Sequence, residues 1–501
     1  MSSPDRGTEK GVLEMKYAKR MLAGALTACL LAGCSGGSAT QKIKLDPDHP
    51  VYLTIWHYYN GTQQLAFDRL IEEFNQTEGR ERGIFVDAHS QGNVTDLETA
   101  VLAAFHKEVG SEEPPDLFSS YADTAYEIMQ MDQLVDLSVY LSQEELASYV
   151  DSFIEEGRIG TGDELYIFPT AKSSEIFMLD KTDWDKFAAA TGASLDALST
   201  KEGLVETAQS YYEWTDAQTP DIPNDGQAFY GRDAMANLFL IGSMQLGTEM
   251  FQVKSQQVTL SVDRDVMRKI WNFYYVPYVK GYFAAFGRFR SDDMKVGKLA
   301  AYTGSTSSAI YFPDEIQTDG SAYPIECMVL PDPIFEGGRP YNVQQGAGMV
   351  VTKSTPEREY AAVTFLKWLT EPAHNLTFGC SSGYLPVKKD ALDVALLDET
   401  IEKMELDIPQ KTYETLTTCI GNLQSVELYT NKAFKNGVAA RKVLEYNLSD
   451  QAAADREAVL ARLESGMTLA EATADFTSDA AFDTWFDVFS ATLQKTVFSN
   501  D

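Results

Sequence analysis

Gly379-Cys380-Ser381-Ser382-Gly383 matches G-x-S-x-G, the spacing that lifts a serine nucleophile onto a sharp turn between a strand and a helix. In that arrangement an acid and then a histidine follow the serine in the chain. Here the motif follows a helical pattern, and all five histidines, His49, His57, His89, His106 and His374, precede Ser381. Acyl transfer therefore lacks its base. The same histidines are scattered and include no H-E-x-x-H, so zinc has no local ligand set, and neither a metal nor a cofactor is expected. A glycosidase needs two carboxylates across a cleft, and no local motif marks such a pair in this acidic chain.

Cys34 has the most specific chemistry. The stretch from Met15 to Thr40 reads MKYAKRMLAGALTACLLAGCSGGSAT, with Lys16, Lys19 and Arg20 ahead of an uncharged apolar run from Met21 to Gly33. A permanent membrane span needs ~20 apolar residues, so the run fits a secretory signal instead. It ends in Leu31-Ala32-Gly33-Cys34, which resembles the lipobox of bacterial lipoproteins: small residues fit the peptidase, and the thiol receives a diacylglyceryl group before cleavage in front of it. Residues 1–33 then form the signal peptide, with Met15 the true start because Asp5, Glu9 and Glu14 suit its basic region poorly. Residues 34–44 form a lipid-anchored tether, flexible through Ser35-Gly36-Gly37-Ser38, and the protein is placed outside the cytoplasm on the cell membrane.

Removing residues 1–33 takes away five Lys/Arg and three Asp/Glu, which leaves 36 basic against 71 acidic side chains and a net charge of −35. Nucleic acid is excluded as a partner, since affinity for it rests on Lys and Arg neutralising phosphates. The remaining length supports two to four domains or lobes. Besides Cys34 the mature chain keeps Cys327, Cys380 and Cys419. Three is not a disulfide framework, and one bridge with a free thiol or three buried thiols both fit.

The elements that must position a site begin after Asp46-Pro47-Asp48-His49-Pro50, which blocks a helix and leads into the β-rich run Val51 to Trp56. Phe67, Leu70, Ile71 and Phe74 then fall on one helical face. A strand at Ile84 to Ala88, a helix at Thr95 to Phe105 and a short strand at Asp116 to Phe118 complete a βαβαβ order, which predicts a largely parallel sheet with helices on its faces. Ligands of such sheets bind beyond the carboxyl ends of the strands, where loops Tyr58 to Gln63 and Ser119 to Asp123 lie. From Leu165 two β-like runs flank Pro169 to Ser174, as in a strand pair that crosses between lobes. Residues 181–300 are mostly helical in pattern. Strands are expected again at Lys298 to Thr303, ahead of the hydroxyl-rich turn Gly304 to Ser308, at Cys327 to Leu330 and at Gly346 to Val351. A helix follows with Thr355 as N-cap and Pro356 at its first position, ended by Glu371-Pro372. The last hundred residues read as helical throughout, with Thr468 capping a helix.

Taken together, LTIWHYYNGTQ, LIEEFN, PPDLF before Tyr121, FPTAKSSEIFMLDK, GKLAAY, and MVVTKSTPEREYAAVTFLKWLTEP followed by SSGYLPVKKDAL resemble the family 1 extracellular solute-binding proteins, the lipid-anchored substrate receptors of carbohydrate-type ABC importers. The match spans nearly the whole mature chain. The resemblance implies an α/β, two-lobe periplasmic-binding-protein-like fold of type II, with mixed sheets flanked by helices and hinge crossovers. It puts residues 45–170 plus 346–380 in one lobe and 175–345 plus 384–501 in the other. It further implies a monomer that captures a sugar or oligosaccharide and delivers it to permease subunits in the membrane, with no catalysis.

Sugars present C–H faces that stack on aromatic rings and hydroxyls that need amide, hydroxyl or carboxylate partners, because a buried polar group left unpaired costs roughly 1–3 kcal/mol. By the resemblance the ligand contacts are Tyr58, Tyr59, Gln63, Tyr121, Asp123, Lys172, Ser173, Ser174, Ser305, Thr306, Gln345 and Tyr384. Trp56-His57 with Gly92-Asn93 and Gly383-Tyr384-Leu385-Pro386 is also similar to the glycerol-phosphate receptors of the family, although Ala122-Asp123 stands where those receptors carry a glutamate. A phosphate would want Lys172, Arg288, Arg290 or Arg441 to converge on it. A receptor for glycerol phosphate or another polyol derivative is thus the alternative, and a secreted lipoprotein glycosidase or an adhesin is the alternative of another class.

Overall fold

The computed structural model describes residues 43–499 apart from 255, 319 and 424. The signal peptide, Met15, Cys34 and the tether up to residue 42 lie outside the described residues.

Past the Pro-rich turn, strand β1 (Val51–His57) buries Leu53 and Ile55 completely. Helix α1 (Gly61–Gln76) packs the predicted stripe of Phe67, Leu70, Ile71 and Phe74 inward. Strand β2 (Ile84–Ser90) runs parallel to β1 from Val51 opposite Ile84 to His57 opposite Ser90. Helix α2 (Val94–His106) starts at Asn93, whose side chain accepts the Asp96 N–H and satisfies one of the first-turn donors. Strand β3 (Leu117–Ser120) pairs in parallel with the other side of β1, and α3 (Ala122–Gln130) and α4 (Asp151–Gly157) follow. The βαβαβ order is the one the hydrophobic periodicity predicts.

The second half opens with β4 (Glu175–Asp180), whose six residues are all buried. It continues through α5 (Lys201–Asp216), β5 (Tyr230–Arg232), α6 (Met235–Gln245), α7 (Arg264–Lys280), β6 (Ala301–Ser305) and β7 (Cys327–Pro331). Its sheet has the order β7-β4-β6-β5, with β4 antiparallel to both neighbours and β5 parallel to β6. Side chains alternate across a strand, so Phe177 and Leu179 enter a core with Phe239, Trp271 and Trp485, while Ile176 and Met178 enter another with Leu376, Cys380 and Leu416.

The chain then returns. After β8 (Tyr341–Val343), β9 (Gly348–Val351) adds antiparallel to β3, so the first sheet reads β9-β3-β1-β2 and is mixed rather than purely parallel. Helix α8 (Pro356–Leu369) starts as predicted, the Thr355 hydroxyl accepting the Arg358 N–H. Pro372 does more than stop it: with Glu371 as N-cap it opens α9 (Pro372–Ser382). Strand β10 (Glu427–Tyr429) pairs with β8, and α10 (Gly437–Glu464) and α11 (Asp479–Val497) complete the second lobe's helical layer. Two hairpins, Phe251–Lys254 with Gln257–Leu260 and Glu315–Thr318 with Ser321–Pro324, stand where the sequence reading places no strand.

Three passes of chain join the lobes. Phe168 bridges Met349, Lys172 bridges Leu385, and Ser173 bridges Gln345. Of the two β-like runs around Pro169, only the one from Glu175 becomes a regular strand. Gly346, at φ +95°, is required here, since a Cβ on it would stand 2.9 Å from the Ala171 carbonyl oxygen. Cys327, Cys380 and Cys419 are all free thiols, and burial pushes those of Cys380 and Cys419 up to about 12. No described helix is long and apolar enough to cross a membrane.

Candidate ligand-binding cleft

A cavity of about 550 Å³ opens between the lobes. Its first wall is the carboxyl end of β3, where the chain turns into α3 and presents Tyr121 and Asp123, with Glu98 of α2 beside them. This is the edge at which open α/β sheets bind their ligands. The second wall is Asn237 of α6 with Arg441, Glu445 and Tyr446 of α10, and the joining strands supply Gln344 and Gln345.

Each wall is held by bonds that reach behind it. Ala234 precedes α6 in a left-handed conformation and has no side chain to cap it. Glu445 replaces the cap, accepting the N–H groups of Met235 at 3.2 Å and Ala236 at 2.9 Å, where a carboxylate also complements the helix dipole. Arg441 donates to the Asn237 amide oxygen at 2.7 Å. The Asn237 nitrogen donates in turn to Glu175 at 2.9 Å and to the Gln345 amide oxygen at 3.2 Å. Glu175 is paired in the interior with Arg232 at 2.9 Å.

On the first wall the carboxylates are less satisfied. Burial raises Asp123 to about 6, with Arg441 opposing the rise and Glu98 adding to it. Glu98 is raised by burial too, while Thr124 and Lys442 counteract. Oδ1 of Asp123 is buried against Gly437 and has no hydrogen-bond partner.

Of the twelve residues expected to touch ligand, Tyr121, Asp123 and Gln345 line this cavity. The other nine pack around the joining strands beside it. The Tyr58 and Tyr384 hydroxyls lie 3.1 Å apart, and the Tyr59 ring is buried against Phe67 and Phe378. Gln63 donates to the Ser382 carbonyl at 3.4 Å. Lys172 donates to Glu156 at 2.7 Å and to the Gly346 carbonyl at 2.8 Å. The Ser173 N–H donates to the Gln345 carbonyl at 2.8 Å, and the Ser174 hydroxyl to the Val343 carbonyl at 2.8 Å. The Ser305 hydroxyl is 2.9 Å from that of Ser307, and the buried Thr306 donates its N–H to Ser174 at 2.9 Å.

Among the cations considered for a phosphate, Arg441 reaches the cavity. Lys172 is engaged with Glu156, Arg290 is buried against Asp293, and Arg288 lies over the Phe289 ring. Ser381 sits in the last turn of α9, before the left-handed Gly383, and not on a strand-to-helix elbow.

Asn237, Glu445 and Tyr446 are absent from the sequence-based set. One signal was present for α10: Val438, Arg441, Lys442, Glu445 and Tyr446 recur at i, i+3, i+4, i+7 and i+8, which puts all five on one helical face, and all five line the cavity. Tyr446 and Val438 are 57% and 47% exposed, an unusual apolar content for a charged face.

No curated protein matches the sequence. Solved structures match the fold. The cyclic alpha-maltosyl-1,6-maltose binding protein of Arthrobacter globiformis superposes with a TM-score of 0.61 at 17% identity, over 89% of this chain and 100% of that one. UgpB of Mycobacterium tuberculosis, in complex with glycerophosphocholine, gives 0.63 at 18%, over 89% and 100%. The maltose/maltodextrin-binding domain MalE of Bdellovibrio bacteriovorus, bound to maltotriose, gives 0.61 at 13%, over 90% and 100%. At such identities the likeness is one of fold, the two-lobe type II periplasmic-binding-protein architecture described above. Residues 69–410, which run from the first helix of one lobe through the crossovers and into the last third of the other, match the family model of the bacterial extracellular solute-binding proteins, and the chain belongs to that family.

Proposed function

We propose that the chain is the substrate-binding lipoprotein of an ABC importer, which captures a sugar or oligosaccharide between its lobes and hands it unchanged to a membrane permease. The observation that carries this reading is the cavity of about 550 Å³ with tyrosine, amide and charged side chains contributed by both lobes. Its size lies within the ~300–1,000 Å³ of small-molecule sites, and its mixed lining suits a polyhydroxylated solute. Tyr121 and Tyr446 offer ring faces, Asp123 and Glu98 accept from hydroxyls, and Arg441 and Gln345 donate to them. The other nine residues of the sequence-based set support this group from behind. The lobes are residues 45–170 with 346–380, and 175–345 with 384–501. The protein works as a monomer, tethered outside the cytoplasm through a lipid on Cys34.

A second reading, a receptor for glycerol phosphate or a related polyol derivative, draws on one observation: Arg441 and Lys442 stand side by side on the second wall. A guanidinium binds phosphate through paired hydrogen bonds. The four carboxylates that line the same cavity, Glu98, Asp123, Glu156 and Glu445, favour the uncharged solute.

A thermal-unfolding screen separates the readings. A solute bound by the native state alone raises the midpoint, by ~2.7 kcal/mol of stability at a hundred times its Kd. Maltooligosaccharides or other neutral sugars are expected to raise it. A rise with glycerol phosphate alone selects the second reading, and no rise with any sugar, polyol or glycerol phosphate overturns both.

A further inference from the structure

In a chain with 74 acidic side chains against 41 basic, the surface from Phe286 to Lys298 has the opposite sign. Arg288, Lys295 and Lys298 are exposed there against one exposed carboxylate, Asp292. Glu315, on the hairpin strand whose Ile316 faces Gly297, still leaves the balance basic. The same segment exposes Phe286, Phe289 and Val296, by 58%, 50% and 45%. Apolar side chains scattered singly over a surface need no explanation, but these share one segment, and a cation stands over each ring. Lys298 Nζ lies 4.8 Å from the Phe286 centroid, and the Arg288 guanidinium carbon 5.2 Å from that of Phe289.

The loop that presents the rings is fixed from beneath. Asp293, buried at the base, accepts the N–H groups of Phe286 at 3.0 Å and Gly287 at 2.7 Å. Arg290, buried beside it, pairs with Asp293 at 2.5 Å and donates to the Gly287 carbonyl at 2.5 Å. Burying two charges costs desolvation, and the bonds gained hold the backbone so that Phe286 and Phe289 stand in solvent. The Arg290 N–H donates in turn to Asp233 at 3.2 Å, and Asp233 adjoins Ala234, which lines the cavity. The patch therefore lies at the cleft edge of the second lobe.

We propose that the segment from Phe286 to Lys298 is a membrane-contact patch, which sets its two phenylalanines at the acyl boundary of an anionic bilayer while Arg288, Lys295 and Lys298 meet the lipid phosphates. Rings flanked by basic side chains match the layering of that interface, apolar below and anionic above. A protein partner needs about 800 Å² from each side, far more apolar surface than three side chains offer. The acidic remainder of the surface does not prevent contact, because at about 0.15 M ionic strength charges more than ~8 Å away are largely screened. Contact brings the cleft edge of the second lobe to the bilayer. The patch depends neither on the solute that the cleft takes nor on a lipid at Cys34.

The experiment is cosedimentation of the chain from residue 35 onward, which keeps both lobes entire and carries no acyl group, with vesicles of phosphatidylglycerol or of phosphatidylcholine at about 0.15 M salt. The chain is expected to sediment with the anionic vesicles and much less with the zwitterionic ones. Phe286→Ala with Phe289→Ala is expected to lower the partition coefficient about tenfold or more, and Arg288→Glu with Lys298→Glu to abolish binding. All four side chains are exposed, so the melting midpoint is expected to hold in both double variants. Phe286→Trp places an indole in the patch, and brominated phosphatidylglycerol is expected to quench the emission it adds. Absence of binding to phosphatidylglycerol overturns the proposal, and a fall in cellular uptake with the alanine variant then assigns the patch to a protein partner. Binding that both double variants retain overturns it as well. Either failure leaves the solute-binding reading standing, which the melting screen tests by itself.

Discussion

Arg441 and Asn237 meet on the second wall of the cleft at 2.7 Å, and the orientation of that amide is fixed from behind. The Asn237 nitrogen must face the carboxylate of Glu175, 2.9 Å away and paired with Arg232, so its oxygen must face the guanidinium. Asn237→Leu therefore does two things. It leaves Glu175 without one of its donors, for a loss of about 1–3 kcal/mol in urea unfolding, and it frees Arg441 to leave the cavity. Arg441→Ala leaves the interior pair intact but takes the donor from the buried Asn237 oxygen; it is expected to weaken titrated binding of the solute found in the melting screen by about tenfold or more and to cost about 1 kcal/mol in unfolding.

Lys172, on the strands that join the lobes, forms a buried ion pair at 2.7 Å with Glu156 of α4, with side-chain exposures of 2% and 8%. Lys172→Met leaves Glu156 with the Gln344 amide as its remaining side-chain donor and no countercharge, and removes the bond to the Gly346 carbonyl. Breaking one side of such a pair costs about 3–5 kcal/mol. Urea unfolding is expected to show that loss. Adding Glu156→Gln to Lys172→Met removes the stranded charge and is expected to recover part of it, a sign of coupling rather than of two independent sites.

His57 is fully buried at the end of β1, its Nδ1 accepting the Tyr59 N–H at 3.2 Å. Burial, aided by the nearby His89, lowers it from 6.5 to about 4. Above pH 6.5 the imidazole is neutral in both native and unfolded chains, and stability does not depend on it. As the pH falls from 6.5 to 4 the unfolded chain binds a proton that the native one does not, and stability falls by about 3 kcal/mol in total. Asp123, Asp180 and Asp233, each raised to about 6 by burial, act in the opposite sense over the same range. The informative quantity is thus the difference between the parent and His57→Gln, measured by urea unfolding at pH 7.5, 5.5 and 4.5. That difference is expected to shrink with falling pH.

The first lobe was legible because its signals are local. A proline-rich stop ahead of Val51, the stripe from Phe67 to Phe74 and the Thr355-Pro356 start each declare an element within a few residues, and each element is there. The antiparallel return of β9 onto β3 is not local: the family resemblance puts residues 346–380 with the first lobe but does not specify the pairing. The pairing of β8 with β10, three residues on each side and separated by more than eighty positions, leaves no periodicity to read. The cavity follows the same division. Tyr121 and Asp123 are legible because a short strand precedes them, whereas Gln345 comes from the family resemblance alone. Asn237 and Glu445 lie on helices whose inward and cleft-facing sides cannot be told apart until the lobes are packed. Tyr58 shows the converse: it follows a strand as a ligand contact would, yet its hydroxyl faces that of Tyr384, 326 positions along the chain.

As the lipidated residue proposed above, Cys34 would bear on delivery rather than on binding. A single acyl chain gives only marginal membrane attachment, whereas the several chains of a lipoprotein hold it stably. Under that proposal, tethering would raise the concentration of the receptor at a permease in the same membrane, by an amount set by the length of linker between Cys34 and the first strand at Val51. Cys34→Ser is expected to move the protein from the membrane fraction to the medium and to leave the solute affinity of the purified chain unchanged. Uptake of the solute by cells is expected to fall, most at low protein expression, where encounter with the permease limits transport. Intact mass spectrometry checks the chemistry directly: the parent should begin at residue 34 with acyl groups attached, and a parent chain that is secreted without them would show that the cysteine is incidental to an ordinary signal peptide.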